Sequence, residues 1–121
     1  MSDRDLQVRV RPGSVANITI ISLDGPLNQN NIPLLQQAWR QANTDIIFHF
    51  AGVPMIDSSA IGCLVNALVT CKKSGRQLAL AELPRRLHQM LAVTRVDALF
   101  AIYPTVELAE KAFAFRSAAA K

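Results

Sequence analysis

The sequence predicts a single α/β domain, a mixed β-sheet flanked by helices in the order β-β-α-β-α-β-α-β-α. Three observations carry that expectation. Two β-rich segments joined by a short turn open the chain. The run Asp45 to Phe50, "DIIFHF", is continuously apolar after Asp45 apart from His49, as expected of a central strand covered on both faces. Around and after it, segments of helical period alternate with short strand-like segments, and such alternation implies parallel neighbours joined by crossover helices.

Each element has its own signal. "LQVRVR" alternates, placing Leu6, Val8 and Val10 on one face of a half-exposed strand. "PGS" (Pro12 to Ser14) marks a turn. "VANITIISLDG" is denser in β-branched residues and reads as a more buried strand, antiparallel to the first. Leu35, Ala38, Trp39 and Ala42 then form one face of a helix. Asn30 or Asn31 is placed to cap it, and Pro33 suits its first turn.

After the central strand, Ile61, Leu64, Val65 and Leu68 give the next helical face. Gly75 ends that helix, with Lys72 and Lys73 near the negative end of its dipole. "QLALAEL" is a strand. A third helix opens at Pro84 and presents Leu87, Met90, Leu91 and Thr94 on one side. "FAIYP" is a short strand. Thr105 caps a last helix through Phe113, with Glu107 in its first turn and Val106, Ala109 and Phe113 facing inward. Residues 1–121 are expected to form one domain with a core over 6–113 and a frayed tail over 114–121.

Composition narrows the function classes. The chain has 121 residues, half of them hydrophobic and 18% charged, which suits one folded core. The net charge is +4, but the basic residues are scattered. With one Trp and one Tyr there is no stripe of cations and stacking aromatics, so direct nucleic-acid binding is not expected. A mildly basic surface suits an acidic partner, and Lys72, Lys73, Arg76, Arg85 and Arg86 are its densest group. "MSDRDLQVRV" lacks the apolar core of an export signal. No run approaches the roughly 20 apolar residues of a membrane span. A soluble, cytoplasmic protein without membrane insertion is the expectation. Cys63 and Cys71 lie eight apart on one helix, about 12 Å, so two buried thiols are expected rather than a disulfide.

No enzyme constellation assembles. There is no Gly-rich phosphate loop, no HExxH and no cysteine cluster. No cofactor or metal site is indicated. A serine nucleophile needs a base and an oxyanion hole, and G-x-S-x-G is absent around Ser58 and Ser59. His49 is expected in the core, and His88 lies on an arginine-flanked helix. What remains is "MIDSSA", at the junction of a strand end and a helix start, where functional surfaces of open α/β sheets gather. Asp57 makes a good N-cap, which by itself explains the triplet. A helix N-terminus also favours anions, so a phosphoserine here would rewrite the surface without unravelling the helix.

The set "GPLN…FAGVPMIDSSAIGCLVNAL…SGRQLALAELPRRLHQMLAVTRVDALFAIYPTVELAEKAF" resembles the STAS domain family, and within it the free-standing bacterial anti-sigma factor antagonists. The resemblance runs from about Leu6 to Phe113. It implies a STAS-type mixed sheet flanked by helices. It also implies a partner-switching cycle. The unphosphorylated antagonist binds an anti-sigma factor serine kinase, frees sigma factor, is phosphorylated and released, and is restored by a metal-dependent serine phosphatase. The family motif D-S-[ST]-G-[LI]-G aligns with Asp57-Ser58-Ser59-Ala60-Ile61-Gly62. By that resemblance Ser59 is the phosphoacceptor, with Ser58 the alternate. Asp57, Ser58, Ser59, Ala60, Gly62 and Asn28 form the partner-binding set, and Gly62 lets the helix approach a neighbour closely. Four positions depart from the pattern. Ala60 replaces the first glycine and is expected to crowd the serine. Pro26 and Asn28 replace acidic residues, and Arg95 replaces a glycine that ends the third helix. The alternative is a never-phosphorylated STAS interaction subunit of a transport or sensory complex. A third reading is small-molecule binding in a groove beside Ser58, for which the sequence shows no preformed pocket.

Overall fold

A computed structural model describes residues 5–15 and 17–119. Its elements are β1 (Gln7–Pro12), β2 (Ile18–Asp24), α1 (Ile32–Arg40), β3 (Asp45–Gly52), α2 (Ser58–Lys73), β4 (Leu78–Ala81), α3 (Arg85–Val93), β5 (Ala101–Tyr103) and α4 (Val106–Ala119). Short 3-10 turns precede α1 and β5. The expected element order is the one observed. The sheet runs β1-β2-β3-β4-β5. β1 and β2 are antiparallel, and every other neighbouring pair is parallel.

The opening hairpin turns tightly at Gly13 and Asn17, with Gly13 N–H donating to the Ile18 carbonyl at 2.7 Å. A Cβ at Gly13 would lie 2.6 Å from Glu110 Oε2 and 3.0 Å from Ile18 Cβ, so a side chain there would force its neighbours to shift. Glu110 is buried on α4 and accepts from Ser14 N–H at 2.6 Å and Ser14 Oγ at 3.0 Å. A buried carboxylate needs such donors, and here they pin the last helix to the first hairpin.

Alternation along the strands splits the core in two. Ile21, Leu23, Ile46, Phe48, Phe50 and Leu80 face α1, α2 and α3, and pack with Leu35, Trp39, Leu64, Leu87 and Leu91. Ile18, Ile20, Ile47, Ala79 and Ala81 face α4 and pack with Val106, Ala109 and Phe113. Fully burying one large apolar side chain contributes about 1.5–3 kcal/mol, so the three-helix face holds most of the stability.

Several expectations need correction. Val10 is largely exposed, on a strand that lies at the edge of the sheet. Asn31 stands at the N-cap position of α1, as one of the two expected, but makes no side-chain capping bond. A 3-10 turn precedes that helix, and Asn28 caps the turn by accepting from Asn30 N–H at 3.0 Å. On α3 only Leu87 and Leu91 are buried, and Met90 and Thr94 are exposed. The last helix does not end at Phe113 but runs to Ala119, and residues 120–121 lie outside the described set. Thr105 does cap it, accepting from Leu108 N–H at 3.0 Å.

Candidate functional site

Three chain segments meet at the carboxyl ends of β2 and β3. The loop after β3 pairs with the loop after β2 through a single parallel bridge, Leu27 with Ile56. Leu27 N–H donates to the Met55 carbonyl, and Asp57 N–H donates to the Leu27 carbonyl, both at 3.0 Å. Leu27 and Ile56 are buried beneath this bridge. The backbone that precedes Ser58 is therefore fixed before the helix begins.

Asp57 joins the parts. It is the N-cap of α2, extended at φ −107° and ψ 178°. Its Oδ1 accepts from Ala60 N–H at 3.0 Å, the usual capping bond. Its Oδ2 accepts from Gln29 N–H, also at 3.0 Å. One carboxylate thus caps α2 and ties down the loop that Asn28 shapes. Asn28 itself is half-buried and uses its amide oxygen where an aspartate would use a carboxylate.

Ser58 and Ser59 occupy the first two helical positions and are both exposed. The free N–H groups and positive dipole end of α2 lie under them. Ala60 is fully buried in the main core. Its methyl faces inward, so it does not crowd the serine face as expected from the sequence. Gly62 does not serve close packing either, because a Cβ there would meet nothing within 4 Å. One turn beyond the serines, it leaves the outer surface of α2 bare.

An open cleft of about 810 Å³ adjoins this corner, walled by Pro26, Asn28, Val53, Met55, Pro84 and Arg86. No preformed pocket was legible in the sequence, since these residues come from two loops and the start of α3. Met55 is half exposed and stands at the cleft beside the start of α2. The missed signal was a large apolar residue in an otherwise polar junction.

Other candidate residues separate. Arg85 and Arg86 start α3, whereas Lys72, Lys73 and Arg76 lie at the end of α2, on the other side of β4. The strand carries the chain across the sheet, so the five do not make one patch. His49 is not packed in the core. It follows Ile47 on the α4 side of β3 but is not part of the cluster there, and its side chain is 26% exposed. Its Nδ1 lies 3.3 Å from Ser22 Oγ and its Nε2 3.0 Å from the Glu82 carboxylate. His88 is exposed on α3. Both cysteines are buried and unbridged. Burial pushes both thiols up, against smaller lowering by Trp39 and Arg40 at Cys63 and by Arg76 at Cys71. Among the described residues, no three metal-ligating side chains cluster and no helix is long and apolar enough to cross a membrane.

A family model for the STAS domain matches residues 6–109, and the chain belongs to that family. Among solved structures, it is similar to a Thermotoga maritima protein classed as an anti-sigma factor antagonist. That pair shares 23% identity and a TM-score of 0.80 over 88% of this chain and 93% of the other. The Bacillus cell fate determinant SpoIIAA, in its phosphorylated form, matches at 15% identity and TM-score 0.67 over 87% and 97%. A sulfate transporter family protein from Wolinella succinogenes matches at 22% and 0.69 over 84% and 85%. These identities establish a common fold.

Proposed function

We propose that the protein is an anti-sigma factor antagonist switched by serine phosphorylation. Unphosphorylated, it binds an anti-sigma factor serine kinase through the corner formed by Asp57, Ser58, Ser59, Gly62 and Asn28. Phosphate on Ser59, or on Ser58 as the alternate, releases the kinase. A metal-dependent serine phosphatase resets the cycle. The observation that carries this reading is the exposure of both serines on a helix end whose backbone is already fixed by Asp57. Phosphate there adds about −1.5 to −2 charges at neutral pH and finds free N–H groups beneath it. The fold stays intact while the surface changes sign.

The release follows from electrostatics. A partner covering this corner would bury the new charge beside Asp57. An unpaired buried charge costs about 3–5 kcal/mol, and each 1.4 kcal/mol is about tenfold in affinity. Affinity should fall by two to three orders of magnitude. Incubation with the cognate kinase and ATP, followed by mass-spectrometric mapping, tests the reading. Phosphate on Ser59 or Ser58 is expected, and absence from both would refute it.

One observation favours a second reading, a STAS interaction subunit in a transport or sensory complex. The loop after β2 carries Pro26 and Asn28, and so lacks the acidic groups of the antagonist pattern. The fold is also shared with a sulfate transporter family protein. Binding to a membrane-transporter partner with no phosphotransfer would favour it.

A further inference from the structure

Three side chains far apart in sequence come together on the sheet. Ser22 on β2 is the register partner of His49 on β3, and Glu82 directly follows β4. His49 Nδ1 lies 3.3 Å from Ser22 Oγ, and its Nε2 lies 3.0 Å from Glu82 Oε1. We propose that the three are the nucleophile, base and orienting carboxylate of a second site, separate from the Ser58 corner, that hydrolyses a compact carboxylic ester.

The proton positions follow from the partners. A carboxylate only accepts, so the Nε2 beside Glu82 carries the ring proton, and Nδ1 accepts from the Ser22 hydroxyl. Nε2 is buried and makes no directed hydrogen bond, so its contact with Glu82 is ionic and matters most once the ring becomes an imidazolium. The Ser22–His49 separation is slightly long, as catalytic hydrogen bonds often are before substrate binds. Two backbone irregularities aim these groups. The pairing of β2 with β3 slips between Ser22 and Asp24, and bulges of this kind re-aim side chains beside active sites. Glu82 holds φ +55°, a left-handed conformation that strains a glutamate. Such strain gathers where a fixed side-chain position is used.

Ser22 and His49 both line a cavity of about 350 Å³, together with Gln7, Arg9 and Arg11. That volume sits near the lower end for small-molecule sites, about 300–1,000 Å³, so the substrate is compact. Two arginines against the single carboxylate of Asp24 leave the lining cationic. Arg9 is the register partner of Ser22 on β1, and its guanidinium donates to the oxyanion that develops on the substrate. In the reaction, Ser22 Oγ attacks the ester carbonyl carbon and its proton passes to His49 Nδ1. The tetrahedral intermediate collapses, the bond to the alcohol oxygen breaks, and that proton leaves with the alcohol. Water then attacks the acyl-serine and gives a proton to Nδ1. The acid departs as Ser22 Oγ takes that proton back. Ester and water become acid and alcohol.

The test uses the full chain with p-nitrophenyl acetate as substrate and diisopropyl fluorophosphate as label, in which Ser22 Oγ displaces fluoride from phosphorus. Turnover should be saturable, and the label should map to Ser22 rather than Ser58 or Ser59. Ser22→Ala should remove both, and His49→Gln should lower kcat about a hundredfold. Glu82→Gln should lower kcat at least tenfold with KM unchanged, the split expected of a positioning residue rather than of a damaged fold. His88→Ala should leave every value unchanged, which separates this site from hydrolysis by an exposed imidazole. If Ser22→Ala fails to fold, the labelling map of the unaltered chain decides. Turnover no greater than that of the His49→Gln chain, turnover unchanged in Ser22→Ala, or a label on any residue but Ser22 would each overturn the proposal.

Discussion

The two ends of α2 carry opposite chemistry on one scaffold. At the N-terminus, Asp57 supplies a carboxylate to the free N–H groups, and the outer surface is serine and glycine. At the C-terminus, Lys72 and Lys73 face the free carbonyls, and Gly75 turns the chain at φ +73°. Both arrangements complement the helix dipole. The difference lies in what each leaves uncovered. The first end offers small hydroxyls beside an open cleft, a surface that one phosphate can change. The second offers exposed lysines. Opposite ends of a sheet can therefore respond to different chemistry without touching each other.

The largest expected effect breaks that comparison at the acceptor end. Ser59→Asp should weaken binding of the kinase at least tenfold, about 1.4 kcal/mol, measured by calorimetry. Lys72→Glu, at the far end, should leave that affinity unchanged. If both variants weaken binding equally, the two ends are not independent.

Next is the cap. Asp57→Ala removes the acceptor for both Ala60 and Gln29 N–H, and should cost about 1–2 kcal/mol of stability in urea unfolding. Asp57→Asn, which keeps an acceptor, should cost less.

Helix C-termini give a third test. α2 and α3 end in the same motif. Gly75 and Arg76 N–H bond to the Lys72 and Cys71 carbonyls, as Arg95 and Val96 N–H bond to those of Ala92 and Leu91. The left-handed residue is Gly75 in α2 but Arg95 in α3, at φ +62°. Arg95→Gly should therefore stabilise by about 1 kcal/mol, and Gly75→Ala should destabilise by about as much, since the left-handed penalty applies in opposite directions.

Gly62→Ala should raise stability by up to about 1 kcal/mol, because open space surrounds it. The same methyl should weaken kinase binding if the bare face of α2 is covered by the partner. The smallest effect concerns the thiols. Burial raises Cys63 and Cys71 above their ordinary value of 9.0, so the unfolded chain loses these protons first. The stability held by the neutral thiols is full below that value and is lost as pH rises through the folded values. An alkaline unfolding series should show this decline, flattened in a Cys71→Ala chain.

Much of this was legible in the sequence. Hydrophobic period gave the element order, and the Asp57-Ser58-Ser59 junction was visible as a helix start at a strand end. What was not legible came from tertiary placement. His49 sits in an apolar run, yet it belongs to neither core cluster and lies half-buried beside Ser22 and Glu82. Glycine content alone could not tell Gly62, which no neighbour approaches, from Gly13, which Glu110 crowds. Ala60 read as crowding because its facing depends on helix phase, and that phase turns its methyl into the core.

The most direct test of the switch is the affinity of the kinase for two preparations of this chain, unphosphorylated and singly phosphorylated on the mapped serine. The account predicts unchanged circular dichroism and unfolding for the modified chain, with affinity lower by two to three orders of magnitude. Equal affinity for both forms, or a loss of affinity accompanied by unfolding of α2, would contradict it.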